Sequence, residues 1–374
     1  MSSFPNETAV MRRALELARL GQGRVEPNPC VGAVVVDSQL RLLGEGFHER
    51  FGGPHAEVNA LRDAGPAARG ATLFVTLAPC HHHGKTPPCT AAVTQAGISR
   101  VVIAALDPAH HGTGDGVDWL KKSGLQVESG LCADQAYELL APFTTFRCEK
   151  RPYVHAKWAM TLDGKLATRT GHSQWITNDA ARAVGHRLRG RMDAILTGIG
   201  TVLADNPQLT ARPAGPRLPV RVVLDSLARL PLDSRLVQTV HQAPVLVVTT
   251  PQAPGERRYA LENAGVEVLV QDPAAATAMC DLPALLREFG QRSWTNLLLE
   301  AGSRVLGAFH DLSLIDEVHC FIAPKLIGGE QALSPLGGLG LAKVPDQPSL
   351  LSLYSELLED NLYLHGRLRS GHKQ

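Results

Sequence analysis

The chain has 374 residues, with 37 basic against 36 acidic side chains and 5% aromatic residues. That near balance gives no basic stripe to hold a phosphate backbone and few rings to stack on bases, which speaks against nucleic acid as a partner. No stretch reaches the roughly 20 apolar residues of a membrane span, and seven widely spaced cysteines suit a reducing compartment, the cytoplasm.

In chain order, the first expected element is a helix over Thr8–Leu20. Arg12, Arg13 and Glu16 interrupt its apolar run, so it reads as a capped amphipathic helix and not as a leader. Strands follow at Val31–Val36 and Leu40–Phe47, then a helix over Ala56–Ala64 that ends before Gly65. Next come a strand over Thr72–Leu77, a helix opened by Pro87-Pro88 and running to Ala96, and a strand over Arg100–Ala104. A helix over Gly116–Lys122, a strand over Leu125–Glu128 and a helix over Asp134–Phe146 complete this part. The alternation predicts a helix-covered sheet. Glu149-Lys150-Arg151-Pro152 is a charged joint ended by proline, so the expected domains are 1–149 and 150–374.

Beyond the joint, Tyr153–Met160 is extended. The apolar runs Ala194–Thr197, Val220–Leu224, Pro244–Val248, Val266–Val270, Asn296–Leu299 and Glu317–Ala323 read as strands buried on both faces. Helices at Asp179–Arg189 and Leu282–Phe289 lie between them, which predicts a second α/β domain.

Two short segments carry chemistry in the first half. His55-Ala56-Glu57, and Cys80 followed by Cys89, supply one imidazole, one carboxylate and two thiols. One His and two Cys hold Zn²⁺ with a position left for water, and a Glu outside the ligand set moves protons. Glu57 and Cys89 are expected in first helical turns, where backbone N–H groups favour a carboxylate or thiolate. His81-His82-His83 reads as a solvated loop run. In the second half, Gly198-Ile199-Gly200-Thr201 and Glu300-Ala301-Gly302-Ser303, with Gly307, follow strands. Small residues there let a backbone approach a phosphate, so the pair favours a phosphate-bearing ligand although neither is a G-x-G-x-x-G fingerprint.

Longer motifs carry a resemblance. Asn28-Pro29-Cys30-Val31-Gly32-Ala33-Val34, Gly44-Glu45-Gly46-Phe47-His48, Gly53-Pro54-His55-Ala56-Glu57 and the run from Pro79-Cys80 to Pro88-Cys89 resemble the deaminase half of the bifunctional riboflavin-biosynthesis deaminase/reductase family. Leu162-Asp163-Gly164-Lys165, Ser173-Gln174-Trp175-Ile176-Thr177, the run Gly200–Pro207, Leu224-Asp225-Ser226, Leu299-Glu300-Ala301-Gly302 and the run Ala323–Gly329 resemble its reductase half. The likeness extends from about residue 8 to 368.

The resemblance implies a cytidine-deaminase-like three-layer domain followed by a dihydrofolate-reductase-like α/β domain. The first would deaminate 2,5-diamino-6-ribosylamino-4(3H)-pyrimidinone 5′-phosphate, with zinc on His55, Cys80 and Cys89 and Glu57 as proton shuttle. The second would use NADPH to reduce the ribosyl group to ribityl. By the same likeness Ala159, Trp175, Thr201, Asp205, Ser226 and the loop Gly302, Ser303, Arg304, Val305, Leu306, Gly307, Ala308 would contact NADPH. Ser173, Arg189, Leu209, Arg212 and Glu300 would face the substrate. Arg189 and Arg212 offer planar forks for its phosphate, and Trp175 offers a ring to pack on the cofactor. We add Arg229, just after Leu224-Asp225-Ser226, as a donor for the 2′-phosphate. Ala78, His81 and Ala109-His110 depart from the family pattern; none is a zinc ligand, so they bear on substrate fit. The partner is then a phosphorylated pyrimidine, with homo-oligomerisation left open. Two other readings also stay open: an RNA-editing deaminase with a nucleic-acid-binding second half, and a reductase whose deaminase half has decayed.

Overall fold

The computed structural model describes residues 3–81, 87–107, 115–274 and 279–368. The chain divides into two compact units, Met1–Lys150 and Arg151–Gln374.

The first unit runs α1 (Glu7–Arg19), β1 (Gly32–Val36), β2 (Leu42–Phe47), α2 (Ala56–Ala64), β3 (Thr72–Leu77), α3 (Cys89–Gln95), β4 (Arg100–Ala105), α4 (Asp115–Lys122), β5 (Gln126–Ser129) and α5 (Ala133–Glu149). Asn6 caps α1, its side chain accepting from the Ala9 N–H at 3.0 Å, which supplies one of the partners that a helix start lacks. The sheet order is β2-β1-β3-β4-β5, with β1 antiparallel to both neighbours and β3, β4 and β5 parallel. Every residue of β1 is buried. A Cβ on Gly32 would lie 2.0 Å from the Ala14 carbonyl oxygen, so α1 can lie this close to β1 only where residue 32 has no side chain.

The second unit runs β6 (Tyr153–Thr161), α6 (Asp179–Arg189), β7 (Ala194–Gly198), α7 (Ile199–Asp205), β8 (Val220–Leu224), α8 (Arg235–Gln238), β9 (Val245–Thr249), α9 (Gly255–Asn263), β10 (Glu267–Val270), α10 (Leu282–Gln291), β11 (Asn296–Leu299), α11 (Ser303–Asp311), β12 (Glu317–Ala323), β13 (Leu350–Leu358) and β14 (Asn361–Leu368). Its nine strands lie in the order β10-β9-β8-β7-β11-β6-β12-β14-β13. They are parallel from β10 to β12, and β14 is antiparallel to β12 and β13. Alternate side chains feed two cores, Ile195, Val223, Val247 and Leu298 on one face and Leu196, Val222, Leu246 and Leu299 on the other. This is why the central strands read as continuous apolar runs.

Three expectations change. The run ending at Val270 forms an edge strand, with Glu267 and Val270 exposed. Residues 303–308 are not a loop: they are the first two turns of α11. The β13–β14 hairpin was not anticipated, because Ser352–Leu357 is exposed on both faces and shows no period-two pattern.

Candidate active sites

In the first unit, α2 begins at Ala56 with His55 as its N-cap residue, which places Glu57 in the first turn. Helix α3 begins at Cys89, and Cys80 follows β3. The structure brings the three donors together: His55 Nδ1 lies 3.1 Å from Cys89 Sγ and 3.6 Å from Cys80 Sγ. Tetrahedral Zn–N and Zn–S bonds put such donors about 3.5 Å apart, so the set fits zinc. The first-turn N–H of Cys89 donates to Cys80 Sγ at 3.4 Å, so the start of α3 favours the Cys80 thiolate and not that of Cys89. A hydrogen bond from Cys89 and another from His55 outweigh burial and hold the Cys80 thiol down at about 4.

Glu57 is 3% exposed and burial pushes its carboxyl above the ordinary range. His48, which sequence reasoning left without a role, packs edge-on to His55 with ring centroids 5.3 Å apart. Its Nδ1–H donates to the Pro54 carbonyl at 2.9 Å, and Nε2 takes the Asn28 amide at 3.2 Å. Burial lowers its pKa, so the ring stands neutral at the border of the site. His81 is half-buried and partnered instead of simply solvated: its Nδ1 lies 3.0 Å from Thr90 Oγ1 and its ring leans on Trp119. Residues 82–86 and 108–114, which include His82, His83 and the Ala109-His110 departure, lie outside the described residues. Ala78 packs at the margin of the core.

In the second unit, β8, β7, β11 and β6 are neighbours, so the segments after their carboxyl ends converge, where α/β sheets bind ligands. Thr201, Asp205, Ser226, Glu300 and Gly302 lie on those segments, and Ala159 lies near the end of β6. Ser173 Oγ donates to Asp205 Oδ1 at 2.9 Å, and the Gly302 N–H donates to Thr201 Oγ1 at 3.1 Å. A Cβ on Gly200 would meet nothing within 4 Å, so open space faces this backbone. These small residues beside a helix start fit a phosphate-bearing cofactor.

Glu300 is the electrostatic centre. Arg189 Nε and Nη2 each reach its carboxylate at 2.7 Å, and Lys157 Nζ lies 3.6 Å away. Burial alone would raise Glu300, but Arg189 and Lys157 outweigh it and hold the carboxyl at about 2. Arg189 therefore does not present an open fork, contrary to expectation. Arg212 remains exposed, bonded to Thr210 Oγ1 at 2.8 Å, and burial together with Arg189 and Arg235 lowers its pKa. Lys157 was missed by sequence reasoning because only the pairing of β6 with β11 brings it to Glu300.

Other positions are corrected. Leu209 is 4% exposed and its side chain belongs to the core, leaving only its backbone for a ligand. Leu306 and Gly307 are buried in α11, a Cβ on Gly307 meeting the Gly337 carbonyl at 2.1 Å. At the helix start Ser303 is buried and Arg304 exposed, with Val305 and Ala308 half-buried. Trp175 is 65% exposed with the Arg182 guanidinium 4.6 Å above its ring, so it is no core residue. Arg229 is half exposed and 3.8 Å from Asp225. Asp225 is itself fully buried and accepts from the Leu230 N–H at 2.7 Å.

Residues 5–105 match the cytidine and deoxycytidylate deaminase zinc-binding region, and residues 152–356 match the RibD C-terminal domain. The chain is 41% identical to the riboflavin biosynthesis protein RibD of Aquifex aeolicus over 355 residues, 95% of this chain and 96% of that one. The chain belongs to the RibD family. It is 38% identical to RibD of Escherichia coli over 90% of its length and 93% of the relative's. Among solved structures, Acinetobacter baumannii RibD superposes with a TM-score of 0.82 at 37% identity, covering 97% of this chain and 99% of that one. A Thermotoga maritima diaminohydroxyphosphoribosylaminopyrimidine deaminase/5-amino-6-(5-phosphoribosylamino)uracil reductase superposes with a TM-score of 0.82 at 38% identity, covering 97% and 98%.

The fold is accordingly a cytidine-deaminase-like domain followed by a RibD reductase domain, and the chain is a bifunctional zinc-dependent deaminase and NADPH-dependent reductase of riboflavin biosynthesis. Neither the RNA-editing reading nor that of a decayed deaminase half finds support in these relatives. Among the described residues, no helix is long and apolar enough to cross a membrane.

Proposed function

We propose that residues 1–149 carry the deamination and residues 150–374 the reduction, on the side chains assembled above. The carrying observation is the convergence of His55, Cys80 and Cys89 donor atoms within 4.8 Å of one another, beside a buried Glu57 that is no ligand. Zinc bound by these three supplies the Lewis acidity that makes water nucleophilic near neutral pH. Glu57 would take a proton from water and deliver it to the departing nitrogen, a role its burial suits because a raised pKa lets it hold a proton. Water adds at the ring carbon bearing the amine, the C–N bond breaks and ammonia leaves. Asn28, its amide oriented by the neutral His48 ring, offers a hydrogen-bonding edge for the pyrimidinone.

In the reductase, bound NADPH would supply the hydride, and solvent the proton, that turn the ribosyl group into ribityl. Ala159, Trp175, Thr201, Asp205, Ser226, Gly302 and the start of α11 are the proposed cofactor contacts, which leaves out Leu306 and Gly307. Glu300, fixed by Arg189 and Lys157, orients the substrate together with Ser173, while Arg212 takes its phosphate. Such chemistry needs carbon and cofactor held close with water excluded, and no protein nucleophile. Asp225 is buried on the Leu230 N–H and so turned away from a 2′-phosphate, for which Ser226 with Arg229 supplies donors.

The partner is a phosphorylated pyrimidine and no nucleic acid, supported by the balanced charge. Among the described residues the cysteines form no disulfide, which supports a cytoplasmic setting. The test supplies the diaminopyrimidinone phosphate with and without NADPH and identifies products by mass. Deaminated ribosyl product alone without NADPH, and ribityl product with it, are expected. Ribityl product that retains the amine would overturn the order proposed, and no ammonia from zinc-replete enzyme would overturn the deaminase assignment.

A further inference from the structure

Besides the deaminase cluster, His155, Glu317 and His319 gather donor atoms within 4.8 Å of one another in the second unit. Parallel register sets Glu317 of β12 opposite His155 of β6, and His319 lies two residues on, on the same face. His155 Nδ1 is 3.3 Å from His319 Nε2, His319 Nε2 is 3.3 Å from Glu317 Oε1, and His155 Nδ1 is 3.7 Å from Glu317 Oε2. Edges of a tetrahedral site with N and O ligands are about 3.3–3.4 Å.

The outer shell is also in place. His155 Nε2 lies 3.2 Å from Asn296 Oδ1, and Asn296 is held the right way round because its Nδ2 donates to Thr295 Oγ1 at 3.0 Å. His155 Nε2–H therefore donates outward, and the Nδ1 lone pair faces Glu317 and His319. His319 Nδ1 lies 2.8 Å from Tyr363 Oη, a hydroxyl that can accept the Nδ1 proton and so leave Nε2 to a metal. Metal-bound imidazoles are characteristically fixed through the far ring nitrogen like this. Both rings are buried, at 5% and 1% exposure.

We propose that His155, Glu317 and His319 form a second metal site, for a divalent cation of the zinc, cobalt or nickel class. Two imidazoles and one carboxylate suit those ions and not magnesium or calcium, which require more oxygen ligands. Arg191, Arg367 and Lys157 bring positive charge to its surroundings and His365 flanks Glu317, which weakens cation binding relative to a neutral setting. The site lies at the amino ends of β6 and β12, whereas the cofactor segments follow the carboxyl ends of β7, β8 and β11. Its role is to pin two strands together, not to join in hydride transfer.

The test uses the full chain with Cys80→Ser and Cys89→Ser, stripped by chelator and titrated with Co²⁺. About one equivalent is expected to bind at micromolar concentration, with visible d–d absorption and none of the thiolate charge-transfer bands a cysteine site gives. His319→Gln, which keeps a polar partner for Tyr363, should lower that affinity at least tenfold and abolish a rise of several degrees in Tm on adding zinc. A folded double-serine protein that binds no cobalt overturns the proposal. Should that protein misfold, zinc counted in the unaltered chain decides: two per chain falling to one in His319→Gln supports the site, and one per chain in both overturns it.

Discussion

At the scale of single residues, the deaminase site separates ligation from proton transfer. Cys89→Ser replaces a thiolate by a poor zinc ligand, so most of the zinc and all ammonia release should be lost; full zinc retention by metal analysis would reject the ligand set. Glu57→Gln removes the proton carrier and leaves the three donors, so zinc should stay while turnover falls by about 10²–10⁴-fold. The two variants differ in metal content, which a general loss of folding would not produce. The reductase offers a sharper residue test. Arg229 is half exposed and its contact with the buried Asp225 is long, at 3.8 Å, so its guanidinium can turn towards a ligand while Asp225 keeps the Leu230 N–H. Arg229→Ala should weaken NADPH binding by about 1.5–3 kcal/mol, the value of a charge-assisted hydrogen bond, and leave NADH nearly unchanged. Equal loss for both, measured by quenching of tryptophan fluorescence, would place Arg229 at the shared part of the dinucleotide or in folding.

At the scale of elements, small residues and buried ion pairs hold the sites in place. A Cβ on Gly116 of α4 would come within 2.1 Å of the Pro79 carbonyl oxygen, so Gly116→Ala must push α4 away from the segment that carries Cys80. Lower zinc affinity with an intact reductase is expected, and unaltered zinc binding would show that the segment yields freely. Glu300 ties α6 to β6 and β11 through Arg189 and Lys157. Its pKa falls on folding from 4.5 to about 2, so its stabilisation is fully present above about pH 4.5 and is lost as pH falls towards 2. Glu300→Gln should lower stability by about 3 kcal/mol near neutral pH and flatten the acid dependence in that window, as thermal melts would record. The proposed zinc ligands were legible because they lie in two short segments opened by Pro54 and by Pro79, and α2, β3, β8, β11 and α6 were legible from caps and apolar runs. Lys157 and Arg189 meet Glu300 only through strand pairing and helix packing across more than a hundred residues, and periodicity carries no record of that. Ser226 was proposed only by likeness to the family, since a small residue after a strand also marks an ordinary turn.

At the scale of the whole molecule, each unit builds its core from its own residues. Val10 to Leu140 supply the buried cluster of the first, and the two clusters flanking the nine-stranded sheet draw on residues from Val154 onward. Arg151, at the start of the second unit, donates to Asp316 at 2.6 and 2.8 Å, and the Asp316 carboxylate also accepts from the Val154 N–H at 2.8 Å. That anchor fastens the first residues of β6 to the segment before β12, so it travels with the reductase when the chain is cut ahead of it. A fragment of residues 150–374 should therefore fold cooperatively, bind NADPH and oxidise it when given the deaminated substrate, while releasing no ammonia from the diaminopyrimidinone. Its complement, residues 1–149, should release ammonia with zinc and without NADPH. Trimming the second fragment to begin at Tyr153 removes Arg151 and leaves Asp316 without its cation, so its Tm should fall below that of the longer piece. A cooperatively folded 150–374 fragment that fails to bind NADPH would refute the division of labour between the two units.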